Sequence, residues 1–194
     1  MPRQAVARDT CPGLSGHRRR STRLAARGVE RLLNGYLGFG SNQGDRKNNL
    51  AQAINALNGR PDLAVLRTSG VYETEPWGLA NQPKFLNMVA EIATSIPPGE
   101  LLERVKKLEK DMGREDGPRL GPRVIDIDIL LLENLVVDEP DLNIPHASLH
   151  LRAFVLVPLA ELAPDSVHPV LGVTIGHLAE QVDGLEGVTP LVPS

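Results

Sequence analysis

The chain has 194 residues, 41% of them hydrophobic, and a formal net charge of −3 at pH 7. That length supports one well-buried domain and is short for two. The single cysteine, Cys11, excludes an intrachain disulfide and favours a reducing compartment, so we expect a cytoplasmic protein. No stretch approaches the roughly 20 apolar residues of a membrane span, and a membrane protein is not expected.

The first 34 residues differ in charge from the rest of the chain. They carry eight arginines against Asp9 and Glu30, whereas the remainder holds 13 basic and 22 acidic residues. Residues 1–34 lack hydrophobic periodicity and are predicted to be a disordered basic extension, followed by a single domain over 35–194. The extension could be a tail without function, an over-long start or an organelle transit peptide. The acidic body argues against nucleic-acid binding.

The apolar pattern predicts alternating strands and helices along the domain. Strands are expected at residues 36–40, 63–72, 85–94 and 124–132, and helices at about 46–58, 99–112, 153–162 and 174–182. The order β-α-β-β-α-β is typical of an α+β fold, a ferredoxin-like sandwich, here with extra C-terminal strand and helix elements. In that layout we expect the helices on one face of an antiparallel sheet, with strands one and four side by side at its centre.

Three local features follow from this layout. Asp45 is suited to cap the first helix. The turn Gly40-Ser41-Asn42, which ends the first strand, would approach the acidic residues of the fourth strand. Glu133-Asn134 is expected to form the turn of a small hairpin after the fourth strand.

Two aspartates, Asp126 and Asp128, interrupt an otherwise apolar run over residues 124–132. Because side chains alternate along a strand, both carboxylates would point the same way, roughly 6–7 Å apart. Two buried like charges are unfavourable unless a cation neutralises them. A hard divalent cation, or a pair of them, would do so with oxygen ligands. The alternative is a pair of salt bridges, for which Arg119 and Arg123 are near in sequence.

The segment that contains these aspartates resembles a family signature. It reads Arg119, Gly121-Pro122-Arg123, two residues, then Asp126-x-Asp128, and it is similar to 6-hydroxymethyl-7,8-dihydropterin pyrophosphokinase of folate biosynthesis. Further segments agree in the same order from residue 36 to about 169. The resemblance implies a ferredoxin-like enzyme that transfers the diphosphate of MgATP to the hydroxymethyl group of the pterin and releases AMP. ATP and the pterin would be its small-molecule partners, with two Mg²⁺ ions as cofactors. We expect a monomer.

The resemblance also implies roles for acidic and basic residues. Asp126 and Asp128 would hold Mg²⁺, and Arg114 and Arg123 would act in catalysis. The implied ATP contacts are Glu109, Arg114, Arg123, Ile129, His146 and Arg152. Guanidinium groups suit phosphate. Considered alone, any one of these arginines could be a solvated surface residue, and a lone histidine is more often structural.

The implied pterin site uses several of the few aromatic residues, which make up 3% of the chain. Its members are Thr74, Glu75, Trp77, Phe85, Asn87 and Phe154. The heterocycle would stack between Phe85 and Phe154, with Asn87 and Thr74 on its polar edge. Without the resemblance, both phenylalanines could be core residues. Asn87 lies two residues from Phe85, hence on the same strand face, and its amide needs hydrogen-bond partners.

The sequence departs from the family pattern in three places. Leu120 stands where an aromatic residue is common, and the loop over residues 115–118 is one residue shorter and acidic. Asp141 and Asn143 replace a basic and a hydroxyl residue. These changes bear on nucleotide affinity and loop closure. Two alternative functions remain open from the residues: a metal-dependent phosphohydrolase using the same aspartates, and a ligand-binding regulatory module without turnover.

Overall fold

The computed structural model describes residues 31–78, 81–114 and 121–192. Most of the predicted N-terminal extension, residues 1–30, therefore lies outside the described residues. The predicted boundary at residue 35 is two residues late, because the first strand begins at Leu33, which pairs with Thr94. Leu33 and Asn34 therefore belong to the sheet and not to the extension.

The elements follow the predicted order, with several additional short strands. The strands are β1 (Leu33–Ser41), β2 (Leu63–Thr68), β3 (Tyr72–Thr74), β4 (Phe85–Thr94), β5 (Asp126–Leu132), β6 (Val137–Glu139), β7 (Leu142–Ile144) and β8 (Val188–Pro190). The helices are α1 (Arg46–Asn58), α2 (Pro98–Asp111), α3 (Ala153–Leu162) and α4 (Ile175–Gln181), with 3-10 helices at Leu149–Leu151 and Leu185–Gly187. Asp45 caps α1 as predicted, since its Oδ1 accepts the Asn48 N–H at 3.1 Å. In the described ranges, no helix combines the length and the apolar character needed to cross a bilayer.

The main sheet has the strand order β5-β1-β4-β3-β8, and β2 also pairs with β4. All of these pairs are antiparallel, which confirms the ferredoxin-like arrangement. Strands β1 and β5 are neighbours as predicted, but β5 lies at the edge of the sheet and not at its centre. The predicted second strand is divided into β2 and β3. The turn expected at Glu133-Asn134 is present, since the Leu135 N–H donates to the Leu132 carbonyl oxygen at 2.9 Å. The hairpin lies further along the chain than expected: β6 pairs with β7, and Val137 lies opposite Ile144.

The sheet is covered on both faces, which corrects the expectation that all helices lie on one side. Leu86 of β4 packs with α1 and α2 in one hydrophobic cluster. Val89, which points to the opposite face, packs with α3 in a second cluster that α4 completes. A strand that is apolar on both faces needs cover on both. Helix α3 is buried along most of its surface, as a helix that is apolar all round must be.

Gly35 of β1 provides a test of how closely β1 and β5 pack. A Cβ atom at this position would lie 2.4 Å from Leu132 Cδ2 and 2.6 Å from the carbonyl oxygen of Leu131. Because a backbone atom cannot move away as a side chain can, Gly35→Ala should lower the free energy of unfolding by about 2–3 kcal/mol. The measurement is urea denaturation of the purified variant.

Gly99, in the first turn of α2, is the matched control, since a Cβ atom there would meet no atom within 4 Å. Gly99→Ala should leave stability unchanged or raise it by about 0.5–1 kcal/mol, because it removes backbone entropy from the unfolded chain. Equal stability of the two variants would show that β1 and β5 are not packed as closely as described.

Candidate active site

A row of side chains crosses the sheet on the face that α3 covers. In the strand register, Gly40 of β1 lies between Asp126 of β5 and Asn87 of β4, and Gly38 lies opposite Asp128. A Cβ atom on Gly40 would lie 2.9 Å from Asn87 Oδ1 and 4.0 Å from the Cβ atom of Asp126. The two glycines therefore leave the centre of this face bare and form the floor of a cavity.

The cavity has a volume of about 210 Å³ and brings together residues from all three predicted groups. The predicted site residues in its lining are Thr74, Glu75, Trp77, Phe85, Asn87, Arg123, Asp126, Asp128, His146, Arg152 and Phe154. Three predicted ATP contacts, Glu109, Arg114 and Ile129, are not among the described residues that line it. Ile129 is 4% exposed and packs in the cluster with α1 and α2, so only its backbone can reach a ligand.

The two carboxylates are neutralised by cationic side chains. Arg114 Nη1 lies 2.7 Å from Asp126 Oδ1, and Arg123 Nη1 lies 2.6 Å from Asp126 Oδ2. Asp128 Oδ2 lies 3.4 Å from Arg152 Nη1 and 3.9 Å from His146 Nε2. The salt-bridge alternative raised from the sequence is therefore realised, with Arg114 in addition to Arg123. Arg119 lies outside the described residues.

Burial shapes the protonation of the groups around Asp128. Desolvation, followed by repulsion from Asp126, raises the pKa of Asp128 above its ordinary value of 3.8. Desolvation also lowers the pKa of His146 below 6.5, although the charge of Asp128 opposes this shift. Each pKa shift arises because removal from water disfavours the charged form of the side chain. Two carboxylates on one strand face, with oxygen atoms as the donors, fit a hard divalent cation, which would favour their ionised forms.

Glu109 acts from behind the strand rather than from within the cavity. It lies on α2, is 3% exposed, and accepts the Ile127 N–H at 2.7 Å. It also forms an ion pair with Arg114, whose guanidinium continues to Asp126. Its position suits orientation of Arg114 better than the direct ATP contact expected from the sequence.

The other end of the cavity carries the amide and the aromatic rings. Asn87 Nδ2 donates to Thr74 Oγ1 at 2.6 Å, and both residues are buried, so the predicted need of this amide for a partner is met. The Arg152 guanidinium lies 4.8 Å from the ring centre of Trp77 and 5.7 Å from that of Phe154. Arg152 therefore contacts both the aromatic and the acidic part of the cavity.

Sequence reasoning assigned no role to Gly38, Gly40 or Asn42. The signal for the glycines was present, since glycine within a strand often marks a close approach of another group. For Asn42 the sequence indicated only that its turn would approach the fourth strand. The structure shows that Asn42 is 2% exposed and fully hydrogen-bonded.

The antiparallel ferredoxin-like sheet carries a cavity with paired carboxylates and arginines at one end and an amide with aromatic rings at the other. These features are those of phosphoryl-transferring enzymes, which work by charge neutralisation and positioning. Over residues 36–164 the chain matches the family model described as 7,8-dihydro-6-hydroxymethylpterin-pyrophosphokinase. The chain belongs to this family, which confirms the resemblance found in the sequence.

Curated relatives and solved structures agree with this assignment. The chain is 44% identical over 135 residues to the 2-amino-4-hydroxy-6-hydroxymethyldihydropteridine pyrophosphokinase of Aquifex aeolicus, covering 70% of this chain and 83% of the relative. It is 43% identical over 159 residues to the protein of the same name from Methylorubrum extorquens, covering 81% of this chain and 99% of the relative. A Plasmodium falciparum HPPK-DHPS structure matches with a TM-score of 0.64 and 15% identity, covering 80% of this chain. The chain spans 46% of that longer protein, and this likeness supports the fold alone.

The titration of Glu109 tests the arrangement behind β5. Burial, with a smaller contribution from the Asp126 charge, raises the pKa of Glu109 from 4.5 to about 7, while Arg114 lowers it. Because the folded pKa is raised, the stability that this group contributes is present below about pH 4.5 and is lost as the pH rises through about 7. Arg114→Ala should raise this pKa further, as measured by carbon-13 NMR of the side-chain carboxyl.

Lys106→Ala serves as the control for that measurement. Lys106 is exposed and also lowers the pKa of Glu109, but its effect is weaker than that of Arg114. The pKa should therefore move in the same direction by a smaller amount. A lower or unchanged pKa in Arg114→Ala would contradict the ion pair between Glu109 and Arg114.

Proposed function

We propose that this cavity carries out the reaction of the family, transfer of diphosphate from ATP to 6-hydroxymethyl-7,8-dihydropterin in folate biosynthesis. The substrate hydroxyl oxygen attacks the β-phosphorus, the bond from that phosphorus to the oxygen of the α-phosphate breaks, AMP leaves, and the hydroxyl proton is released to solvent. The observation that carries the proposal is a single cavity with carboxylates and arginines at one end and an amide among aromatic rings at the other.

Asp126 and Asp128 are the proposed Mg²⁺ ligands. Among the described residues, no group of three or more His, Cys, Asp or Glu side chains is placed to hold a metal ion. The remaining ligands would therefore be phosphate oxygens and water, which is the usual way in which Mg²⁺ binds at phosphate-transfer sites. When bound, a pair of Mg²⁺ ions would supply neutralisation of the phosphate charge.

The three arginines that face the carboxylates, together with His146, are the proposed phosphate ligands. Arg123 and Arg114 both contact Asp126, and Arg152 and His146 lie at Asp128. A planar guanidinium can bind a carboxylate and a phosphate through different N–H groups, so these residues need not leave the aspartates completely. The proposed catalysis works by positioning and charge stabilisation and requires no general base at the substrate hydroxyl.

The opposite end of the cavity is proposed to hold the pterin. Phe85 and Phe154 would stack on its two faces, and Asn87 with Thr74 would bind its donor and acceptor edge. Trp77 and Glu75 complete this end of the lining, and Glu75 is held by an ion pair of 2.6 Å to Lys84. A mainly apolar pocket with a few well-placed polar groups is typical of sites for small heterocycles.

The proposed enzyme is a monomer, and the single cysteine of the chain favours a cytoplasmic location. AMP formation tests the reaction and separates it from the two alternatives. The protein should release AMP from MgATP only when the pterin is present. A phosphohydrolase would need no pterin, and a regulatory module would release no AMP with or without it.

The first variants test the acidic pair. Asp126→Asn and Asp128→Asn keep the size of the side chain and one acceptor oxygen. At residue 126 one arginine contact is lost, but Arg114 still pairs with Glu109, so the fold should persist. Each should lower kcat by roughly 10²–10³-fold, as for other charge-stabilising groups. AMP formation and circular dichroism are the measurements.

Asp138→Asn makes the same change at an exposed position of β6 and should leave the rate unchanged. Near-normal rates in either cavity variant would exclude a metal role for that aspartate. A matching loss in Asp138→Asn would show a general effect of charge.

The second set tests the aromatic end. Phe85→Ala and Phe154→Ala should each weaken pterin binding by roughly 1–3 kcal/mol, by analogy with stacking of bases on aromatic rings. Binding of a non-hydrolysable ATP analogue should be almost unchanged, and calorimetry with each ligand measures both.

Leu151→Ala removes an exposed apolar side chain, 56% accessible, that precedes Arg152 and should alter neither affinity. Unfolding of both phenylalanine variants without a selective loss of pterin affinity would show that the rings serve only as core.

A further inference from the structure

Asn42 follows the end of β1 and lies between the loop that carries Arg123 and the segment before β4. It is 2% exposed and is not part of the cavity lining. Every hydrogen-bonding group of its side chain is nevertheless directed to a segment that carries proposed substrate contacts. It therefore differs from the residues already assigned, which contact the cavity themselves.

On one side, Asn42 binds the backbone of Arg123 through two hydrogen bonds. Its Oδ1 accepts the Arg123 N–H at 2.7 Å, and its own N–H donates to the Arg123 carbonyl oxygen at 3.0 Å. The backbone N–H and C=O groups of Arg123 are thereby both hydrogen-bonded to Asn42. The side chain of Arg123 extends from this backbone to Asp126. The two bonds therefore fix the position from which the guanidinium reaches the phosphate end of the cavity.

On the other side, the Asn42 amide nitrogen binds the segment before β4. It donates to Gln82 Oε1 and to the Pro83 carbonyl oxygen, each at 3.1 Å. Phe85, the first residue of β4 and a proposed pterin contact, follows two residues later. The Asn42 side chain thus also holds the segment that leads into the pterin end of the cavity.

The pattern requires the chemistry of asparagine. A carboxamide offers two N–H donors and an acceptor oxygen, whereas an ionised aspartate offers only acceptors and serine offers one donor. At this length of side chain, no other residue accepts from Arg123 while donating twice to residues 82 and 83. Buried amides of this kind are expected to be fully bonded, and this one is.

We propose that Asn42 is a positioning residue that holds the phosphate end and the pterin end of the cavity in fixed relation. It acts through Arg123 on one side and through residues 82 and 83 on the other. This inference rests on the proposed function, because it assigns the two ends to ATP and to the pterin.

Asn42→Asp separates the two sides. The aspartate keeps the acceptor for the Arg123 N–H and loses both donors. The bond to the Pro83 carbonyl oxygen is broken, and Gln82 can pair with the carboxylate only if its amide turns over. The pterin KM should rise roughly tenfold, as for the loss of hydrogen bonds from a buried group, while the ATP KM changes by less than about twofold. Asn42→Ala removes every side-chain bond and leaves only the backbone bond to the Arg123 carbonyl oxygen. In this variant kcat should also fall by about 10²-fold, because the Arg123 N–H is no longer held.

Asn48→Asp introduces the same change on the exposed surface of α1 and is the control. It should leave kcat and both KM values unchanged. Gln82→Met, at a half-buried position, removes one acceptor of the amide and should raise the pterin KM by roughly threefold without affecting ATP. This variant decides the matter if Asn42→Asp does not fold.

Steady-state AMP formation in all four variants, with thermal unfolding of each, gives the readouts. Equal increases of both KM values in Asn42→Asp, or an unchanged pterin KM there and in Gln82→Met, would overturn the role of Asn42. A loss of thermal stability with unchanged kinetics would also overturn it. Wild-type protein that releases no AMP with the pterin would instead overturn the proposed function.

Discussion

Two carboxylates on one face of an edge strand need positive charge around them, and the phosphate end of the cavity is built to supply it. Arg114 and Arg123 share Asp126, while Arg152 lies at Asp128. Residues outside the cavity hold these partners in place. Glu109 of α2 binds Arg114 from behind β5, and Arg114 in turn binds Asp126 in the cavity, so negative and positive side chains alternate along this path. The family reaction needs phosphates that are neutralised in charge and held in position. This network provides the acidic and basic side chains for both tasks.

Strand β1 connects this charged end to the aromatic end. Toward α1 and α2 it carries large apolar side chains such as Leu37 and Phe39, and toward the cavity it carries Gly38 and Gly40. One strand therefore anchors the core and leaves the floor bare, because successive side chains point to opposite faces. The turn that follows adds Asn42, whose amide bonds to both sides of the cavity. The same strand thus relates core packing to the geometry of the site.

The element order and the cap of α1 were readable from the sequence because they depend on local signals. Apolar periodicity located α1 and α2, and Asp45 was recognised as the cap of α1. Expectations about long-range placement were less accurate. The helices lie on both faces, and β5 lies at an edge. The small hairpin is formed by β6 and β7 and not across the turn at Glu133-Asn134. Periodicity describes which face of an element is buried but does not specify the element that covers it.

For the site, the sequence by itself determined the chemical groups: the Asp126 and Asp128 pair on one strand face, the family to which their segment belongs, and the shared face of Phe85 and Asn87. Only the tertiary structure decided which groups meet. It joined Glu109 to Asp126 through Arg114, and it placed the Ile129 side chain in the core. It also gave Asn42 partners at positions 82, 83 and 123. Side-chain identity and strand alternation are local properties, whereas hydrogen bonds between residues 40 or 80 positions apart depend on how the whole sheet is assembled.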